Sequence, residues 1–227
     1  LDETSSGALT DIKALGEIIK NFPETIFVVD CVSGLVVEEM KTDDWGVDVA
    51  VSSSQKAMAI PPGLGFMSIS EKALNFAKES DLRSFYFDIF DHINNWKRNQ
   101  TPFTPAVSLL FQLEKRLEKI QKEGLDKYRQ RYFALTKRIR DGLLEFGFVP
   151  VAKYPANCVT GVFTEKYDAS EIVRIMREKY NIEIAPSGGD LKTKLFRVGN
   201  FGNITESDID RFLFAMKETL KELNNDR

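Results

Sequence analysis

The sequence predicts an α/β fold, and two observations predict it. Short continuous apolar runs, typical of strands buried in a parallel sheet, occur at 26–29, 47–51 and 65–69. Segments whose apolar residues recur three and four positions apart, the pattern of amphipathic helices, alternate with these runs. Short strands that alternate with helices are typical of α/β proteins.

The first half of the chain is predicted to contain the strands and one early helix. Residues 10–20 have apolar side chains at helical spacing, and Thr10 is placed to cap the start of the helix. The three apolar runs supply the strands, and the first of them ends directly before Asp30. Residues 80–104 contain Asn94, Asn95 and Pro102, with Pro105 directly beyond, so we expect an irregular segment there.

The second half is predicted to be helical at first and then mixed. One helix runs from Pro105 to about 121, with Thr104 as a good N-cap. Gly124 then interrupts the pattern, and a second helix runs to about 146. The later pattern predicts strands at 148–152, 157–163, 182–185 and 195–198, a helix at 169–180 capped by Asp168 or Ser170, and a helix at 205–223 capped by Thr205. We therefore expect a domain at 1–125 and a small domain at 126–227.

Composition excludes several classes of function. The net charge is −3, which gives no general attraction to nucleic acid or anionic lipid, and no run of 18 apolar residues occurs. Cys31 and Cys158 are too few for a disulfide scaffold; we expect both to be buried small hydrophobes in a reducing, cytoplasmic compartment. His92 is the single histidine, and no zinc-ligand spacing is present, so we expect no metal site.

Two polar residues stand at the ends of predicted strands. Asp30 ends one apolar run and Lys56 follows the next, and open α/β sheets bind ligands where strands end. A lysine that forms a Schiff base and an acid that pairs with the pyridinium nitrogen are what pyridoxal phosphate (PLP) chemistry requires. The alternatives are a solvated surface lysine and an aspartate that caps a turn.

The neighbours of these residues carry a family resemblance. The chain resembles the class V aminotransferases of PLP fold type I, in particular the alanine–glyoxylate and serine–pyruvate branch. The resembling blocks are ETSSG (3–7), VVDCVSG (28–34), WGVDVAVSSSQKAMAIPPGLGF (45–66), QTPFTPAVSLL (100–110) and FRVGNFGNITESDIDRFL (196–213). The Gln-Lys pair followed by Pro-Pro-Gly favours this branch over the cysteine desulfurases, whose lysine typically follows histidine.

The resemblance implies roles for three residues in the reaction. Lys56 is the Schiff-base lysine and the proton shuttle, and Asp30 holds the pyridinium nitrogen protonated. Arg197 matches the arginine that holds the substrate carboxylate, for which a planar two-donor fork is suited. A surface strand arginine is the alternative for Arg197.

Four further residues are implied in cofactor binding. Thr4 matches the residue that hydrogen-bonds the ring 3-hydroxyl, and Gln55 matches a phosphate contact. Thr101 and Thr104 match positions that reach the phosphate of the partner subunit's cofactor. The alternatives are a turn hydroxyl for Thr4, a loop amide for Gln55 and a helix cap for Thr104.

The resemblance also implies a fold and a function for the whole. We expect part of a large-domain, mainly parallel sheet with flanking helices, followed by a small C-terminal α+β domain. In the family the ETSSG block falls well inside the large domain, so we expect this chain to be the C-terminal part of a longer enzyme. The implied activity is PLP-dependent transamination of alanine or serine with glyoxylate or pyruvate, in a homodimer. Alternatives are another fold-type-I reaction (aminophosphonate transamination or a lyase step) and a non-catalytic, dimerising fragment.

Overall fold

The computed structural model describes residues 1–82 and 84–225. The first part of the chain forms a hairpin and a three-stranded sheet with helices. Its elements are β1 (Asp2–Glu3), β2 (Ala8–Leu9), α1 (Ile12–Ile19), β3 (Val28–Asp30), β4 (Val49–Ser53), β5 (Gly65–Ile69), α2 (Glu71–Glu79) and α3 (Ile89–Trp96). The predicted α/β organisation is therefore confirmed.

The sheet order is β3–β4–β5. Strands β3 and β4 are parallel, with Asp30 opposite Val51, whereas β5 runs antiparallel to β4. The expectation that the first apolar run is buried on both faces is wrong in this chain, since Val28 is 58% exposed while Val29 is buried. The reason is that β3 is the edge strand of the described sheet and only one of its faces is covered.

The second part of the chain is a helical pair followed by an α+β unit. Its elements are α4 (Val107–Glu123), α5 (Leu125–Glu145), β6 (Val149–Pro150), β7 (Val159–Phe163), α6 (Ala169–Tyr180), β8 (Ala185–Pro186), a 3₁₀ turn (Gly189–Leu191), β9 (Leu195–Gly199) and α7 (Glu206–Asn225). The sheet has the order β6–β7–β9–β8 and is antiparallel throughout. Helices α5, α6 and α7 and strand β9 share one core, which includes Leu143, Ile172, Phe196 and Met216.

Some predicted helix caps are confirmed and others are wrong. Asp168 caps α6, and Thr205 shares reciprocal hydrogen bonds with Asp208 at the start of α7. Asp11, not Thr10, caps α1, because its carboxylate accepts from the Ala14 N–H at 2.9 Å. Thr104 is not a cap either: α4 starts at 107.

The segment predicted to be irregular contains helix α3. The carboxylate of Asp88 caps it by accepting from the Phe90 N–H at 2.9 Å. Around this helix several aromatic side chains are largely exposed, including Phe85 at 84% and Phe87 at 79%. None of the helices in the described part of the chain combines the length and apolar content needed to cross a lipid bilayer.

A second buried cluster joins the two parts of the chain. It contains Val37, Ala57, Ile120, Tyr128, Tyr132, Ala156, Cys158 and Val159. Because Ala57 directly follows Lys56, this cluster fixes the lysine against α5 and β7. The expected division between 125 and 126 falls at the start of α5 and stays a prediction.

The β1–β2 hairpin is anchored on β7. An added Cβ on Gly161 of β7 would lie 2.3 Å from the Ser6 carbonyl oxygen, and one on Gly7 would lie 2.8 Å from the Gly161 nitrogen. The Ala156 N–H also donates to the Gly7 carbonyl oxygen at 2.8 Å. This close approach holds the ETSSG turn beside the four-stranded sheet.

Candidate active site

Lys56 lies on a turn that follows β4. Ser54 is buried and closes this turn: its hydroxyl donates to the Pro61 carbonyl at 2.7 Å and accepts from the Leu64 N–H at 3.2 Å. The Ile60 N–H donates to the Ser54 carbonyl at 3.1 Å. The backbone that carries Lys56 is therefore fixed on both sides.

The side chain of Lys56 is half-buried and points to an aromatic ring. Its Nζ lies 5.4 Å from the centre of the Phe201 ring, which is within the range of a cation–π contact. None of the ion pairs among the described residues includes Lys56, Asp30 or Arg197.

Asp30 is the last residue of β3 and lies on the same sheet edge as the lysine turn. Parallel strands β3 and β4 end at one edge of the sheet, and open α/β sheets bind ligands in the crevice at that edge. The Asp30 Oδ1 accepts from the Val32 N–H at 2.8 Å, so this carboxylate also caps the turn that follows β3. The Asp30 side chain is exposed, on the opposite side of the strand from buried Val29.

Arg197 lies in β9, opposite Gly161 of β7 and Ala185 of β8. Its Nη1 donates to the Thr4 carbonyl oxygen at 3.3 Å and its Nη2 to the Pro186 carbonyl oxygen at 3.0 Å. Its Nε is buried and has no hydrogen-bond partner in the part of the chain that the structure describes. Only two of the five guanidinium donors are therefore engaged within the described residues.

The ETSSG turn brings Thr4 to this arginine. The Gly7 N–H donates to the Glu3 carbonyl at 2.8 Å, and the Ser5 N–H donates to the Glu3 carboxylate at 2.8 Å. The hydrogen bonds from Ser5 lower the pKa of Glu3, with a smaller contribution from the charge of Arg197. Two predicted site residues far apart in sequence, Thr4 and Arg197, thus meet directly.

The remaining predicted residues are not joined to this group by hydrogen bonds in the described chain. Gln55 is exposed beside Lys56. Thr101 is exposed and donates to the Phe103 carbonyl at 2.7 Å, and Thr104 is exposed before α4. Their contact with a phosphate, across a subunit boundary for the two threonines, stays a prediction.

Behind the ETSSG turn lies a compact group of three titratable side chains. Potential ligand atoms of Asp2, Glu38 and Cys158 lie within 4.8 Å of one another. Burial, reinforced by the negative charge of Glu38, raises the pKa of Asp2 to about 7. Burial also raises the pKa of Glu38, whose carboxylate accepts from the Asn157 side chain at 3.0 Å.

The donor set fits pyridoxal phosphate and an amino acid. A lysine amine, a strand-end carboxylate and a guanidinium with an orphaned buried Nε are groups that match an aldehyde, a ring nitrogen and a carboxylate. Sequence reasoning missed Phe201 and Ser54, although both lie inside resembling blocks. Their roles depend on contacts between two turns, which no local pattern reveals.

Comparisons with known proteins show which proteins the chain resembles. Residues 2–212 match the family model described as aminotransferase class-V. The chain is 32% identical over 228 residues to a serine–glyoxylate aminotransferase of Arabidopsis thaliana, covering 98% of this chain and 57% of that protein. It is 33% identical over 223 residues to a soluble hydrogenase small subunit of Synechococcus sp., covering 97% and 58%.

A solved structure shows the same fold. The alanine–glyoxylate aminotransferase from Nostoc sp. superposes with a TM-score of 0.89 at 27% identity, covering 96% of this chain and 59% of that one. The chain thus spans less than two thirds of the length of these relatives. Class V aminotransferases are PLP-dependent enzymes of fold type I, and the family match covers most of the sequence. The chain belongs to the class V aminotransferase family.

Proposed function

We propose that the protein is a PLP-dependent aminotransferase that transfers the amino group of a small amino acid, alanine or serine, to glyoxylate or pyruvate. The observation that carries this proposal is Arg197. Its half-buried guanidinium has unused donors and no carboxylate partner among the described residues, which is what a receptor for a substrate carboxylate requires.

The cofactor would be held by residues on both sides of the crevice. When bound, pyridoxal phosphate supplies an aldehyde that captures amino groups and a ring that accepts the electrons released at Cα. Lys56 would hold it covalently and Asp30 would hold the proton on its ring nitrogen. Thr4 and Gln55 would bind its 3-hydroxyl and phosphate.

The chain's own residues would then perform the substrate steps. Arg197 binds the carboxylate of the amino acid and orients its Cα–H bond. The Lys56 amine would take the proton from Cα as a general base. The fixed turn around Ser54 limits how far that amine can move.

We also propose that the full protein is a homodimer. Phe85 and Phe87 are almost fully exposed, and Trp96 is 75% exposed, in the segment that also carries Thr101 and Thr104. A patch of this kind on a folded chain marks an association surface. A dimer through this surface would bring the two threonines toward the cofactor of the partner subunit.

Two coarser expectations belong to the same proposal. Division into a PLP-binding part at 1–125 and a small domain at 126–227 is supported by the separate core of α5, α6 and α7. A cytoplasmic location is supported by the buried, free thiols of Cys31 and Cys158.

The test is a donor and acceptor panel on the full-length protein with PLP. L-Serine or L-alanine with glyoxylate should give glycine and the matching keto acid. 2-Aminoethylphosphonate, which has no carboxylate, should be a poor donor. Faster turnover of the phosphonate than of both amino acids would favour aminophosphonate transamination. No amino-group transfer at all would favour a non-catalytic, dimerising fragment.

A further inference from the structure

The turn that carries Lys56 (the lysine turn) packs against a second turn at 200–203. This second turn follows β9, the strand that carries Arg197. We propose that Tyr132 and Phe201 are positioning residues for Lys56: the Tyr132 hydroxyl fixes the 200–203 turn, and the Phe201 ring holds the Lys56 amine whenever it is not attached to a cofactor. The inference rests on the proposed function insofar as Lys56 is the reacting lysine.

The 200–203 turn touches the lysine turn at two points. Phe201 places its ring 5.4 Å from the Lys56 Nζ. A Cβ on Gly202 would lie 3.7 Å from the Ala59 Cβ, so the two turns pack backbone to side chain. The position of the Phe201 ring therefore depends on the position of the 200–203 backbone.

The start of this turn is anchored in the small domain. Asn200 is buried; its N–H donates to the Cys158 carbonyl at 2.8 Å and its side-chain amide donates to the Thr136 hydroxyl at 2.6 Å. These bonds fix the residue that precedes Phe201. Other contacts are needed to hold residues 201–203.

Helices α4 and α5 supply that second anchor. The Tyr132 hydroxyl donates to the Gly202 carbonyl oxygen, and the Tyr128 hydroxyl donates to the Tyr132 hydroxyl at 3.2 Å. Arg116 donates to the Tyr128 hydroxyl and, at 3.1 Å, to the Asn203 side-chain oxygen. A chain of hydrogen bonds thus runs from α4 through two tyrosines to the turn that carries Phe201.

The two tyrosines of this network are buried. Tyr132 is 0% exposed, and its ring centre lies 4.9 Å from that of Tyr128. The Arg131 guanidinium lies over both rings, at 4.9 and 5.1 Å, and is itself paired with Glu123. Burial raises the pKa of Tyr128, so its hydroxyl stays a proton donor.

The arrangement couples the substrate receptor to the reacting amine. Arg197 and Phe201 lie on one continuous stretch of β9 and its following turn, and that stretch is clamped at Asn200 and at Gly202. The tyrosine network therefore helps to fix Phe201, and through it the Lys56 amine, relative to Arg197. Small misplacements of reacting groups are costly to rate, so this network should affect catalysis more than substrate binding.

The test uses Tyr132→Phe in the full-length protein, with Tyr167→Phe as the matched control. Tyr167 is also buried, and its hydroxyl bonds Asn224 at 3.1 Å in the small-domain core. In cofactor-free protein, an amine-reactive label quantified by mass spectrometry should modify Lys56 about two- to fivefold faster in Tyr132→Phe, the range a cation–π contact corresponds to. Labelling of exposed Lys13, the internal reference, should not change.

Phe201→Leu should raise Lys56 labelling as Tyr132→Phe does, whereas Phe201→Tyr, which keeps the ring face, should restore the wild-type rate. With PLP, Tyr132→Phe should lower kcat about tenfold and leave KM for the amino acid nearly unchanged. Equal Lys56 labelling in Tyr132→Phe and Tyr167→Phe, or wild-type labelling in Phe201→Leu, would overturn the inference. The labelling needs no turnover, so it still decides this point if the proposed transamination fails.

Discussion

Arg197 donates a hydrogen bond from Nη1 to the carbonyl oxygen of Thr4 at 3.3 Å, across 193 positions of sequence. The contact fixes the guanidinium through a backbone acceptor. The buried Nε has no hydrogen-bond partner among the described residues. The contact with Thr4 also joins the two ends of the chain, because the ETSSG turn and β9 meet on β7.

Replacing Arg197 by lysine should separate substrate recognition from cofactor binding. The ammonium keeps the charge but loses the planar fork, so KM for L-alanine or L-serine should rise and kcat/KM should fall at least about tenfold. The visible spectrum of the cofactor should stay unchanged. A simple amine without a carboxylate is the internal control, and equal losses for the amine and the amino acids would show that Arg197 supports the fold instead.

Replacing Asp30 by asparagine should lower the rate and spare the fold. The amide oxygen can still accept from the Val32 N–H, and the position is exposed, so the free energy of unfolding should be near that of wild type. An amide cannot hold the pyridinium proton, and the loss of this charge should cost on the order of a thousandfold in kcat. Asp43→Asn, on the exposed surface, is the control. A loss below about threefold would mean that Asp30 only shapes the turn.

Replacing Asp2 by asparagine should stabilise the protein at pH 8 more than at pH 4. Because burial raises the pKa of Asp2 to about 7, the folded state binds more protons than the unfolded state between roughly pH 4 and pH 7. The contribution of Asp2 to the free energy of unfolding therefore falls as pH rises through that window. Asparagine does not titrate, so the variant avoids this pH-dependent loss of stability, which is about 2–4 kcal/mol at most.

Denaturant unfolding of the full-length protein at both pH values measures that difference. Asp43→Asn, whose position is exposed, serves again as the control and should show no comparable pH-dependent gain. A constant difference between Asp2→Asn and wild type from pH 4 to pH 8 would contradict the account of this buried group.

Replacing Thr104 by alanine should weaken PLP retention in the dimer without affecting α4, since Thr104 does not cap that helix. One lost hydrogen bond to a charged group corresponds to about 1.5–3 kcal/mol of binding free energy. Exposed Thr10, which caps no helix, gives the control variant Thr10→Ala. A stable monomer that retains PLP at micromolar concentration would rule out a cross-subunit role for Thr104.

Local signals in the sequence predicted much of the fold. The helix expected at 169–180 agrees with α6 because Asp168 caps its start and Asn181, in a left-handed conformation with φ of 51°, ends it. Helix α3 lies in a segment expected to be irregular because Asn94, Asn95 and Pro102 favour turns. Its apolar residues do recur at helical spacing, and Asp88 caps its start. The α1 cap moved from Thr10 to the adjacent Asp11.

The candidate site was predictable only in part. Asp30 and Lys56 follow apolar strands, so their shared edge could be expected from the sequence. The contact of Arg197 with Thr4 and that of Phe201 with Lys56 bring together residues of different sheets and turns. Such contacts arise from tertiary packing, and no spacing along the chain encodes them.

The central claim is that Lys56 is the residue that holds pyridoxal phosphate, and borohydride reduction tests it most directly. The purified full-length protein, loaded with PLP, is reduced, digested and mapped by mass spectrometry, with Lys56→Ala as the control. We expect one pyridoxyl-modified peptide, with the modification on Lys56, and loss of both the label and transamination in the variant. A label on another lysine, or an equally labelled Lys56→Ala variant that still transaminates, would contradict the account.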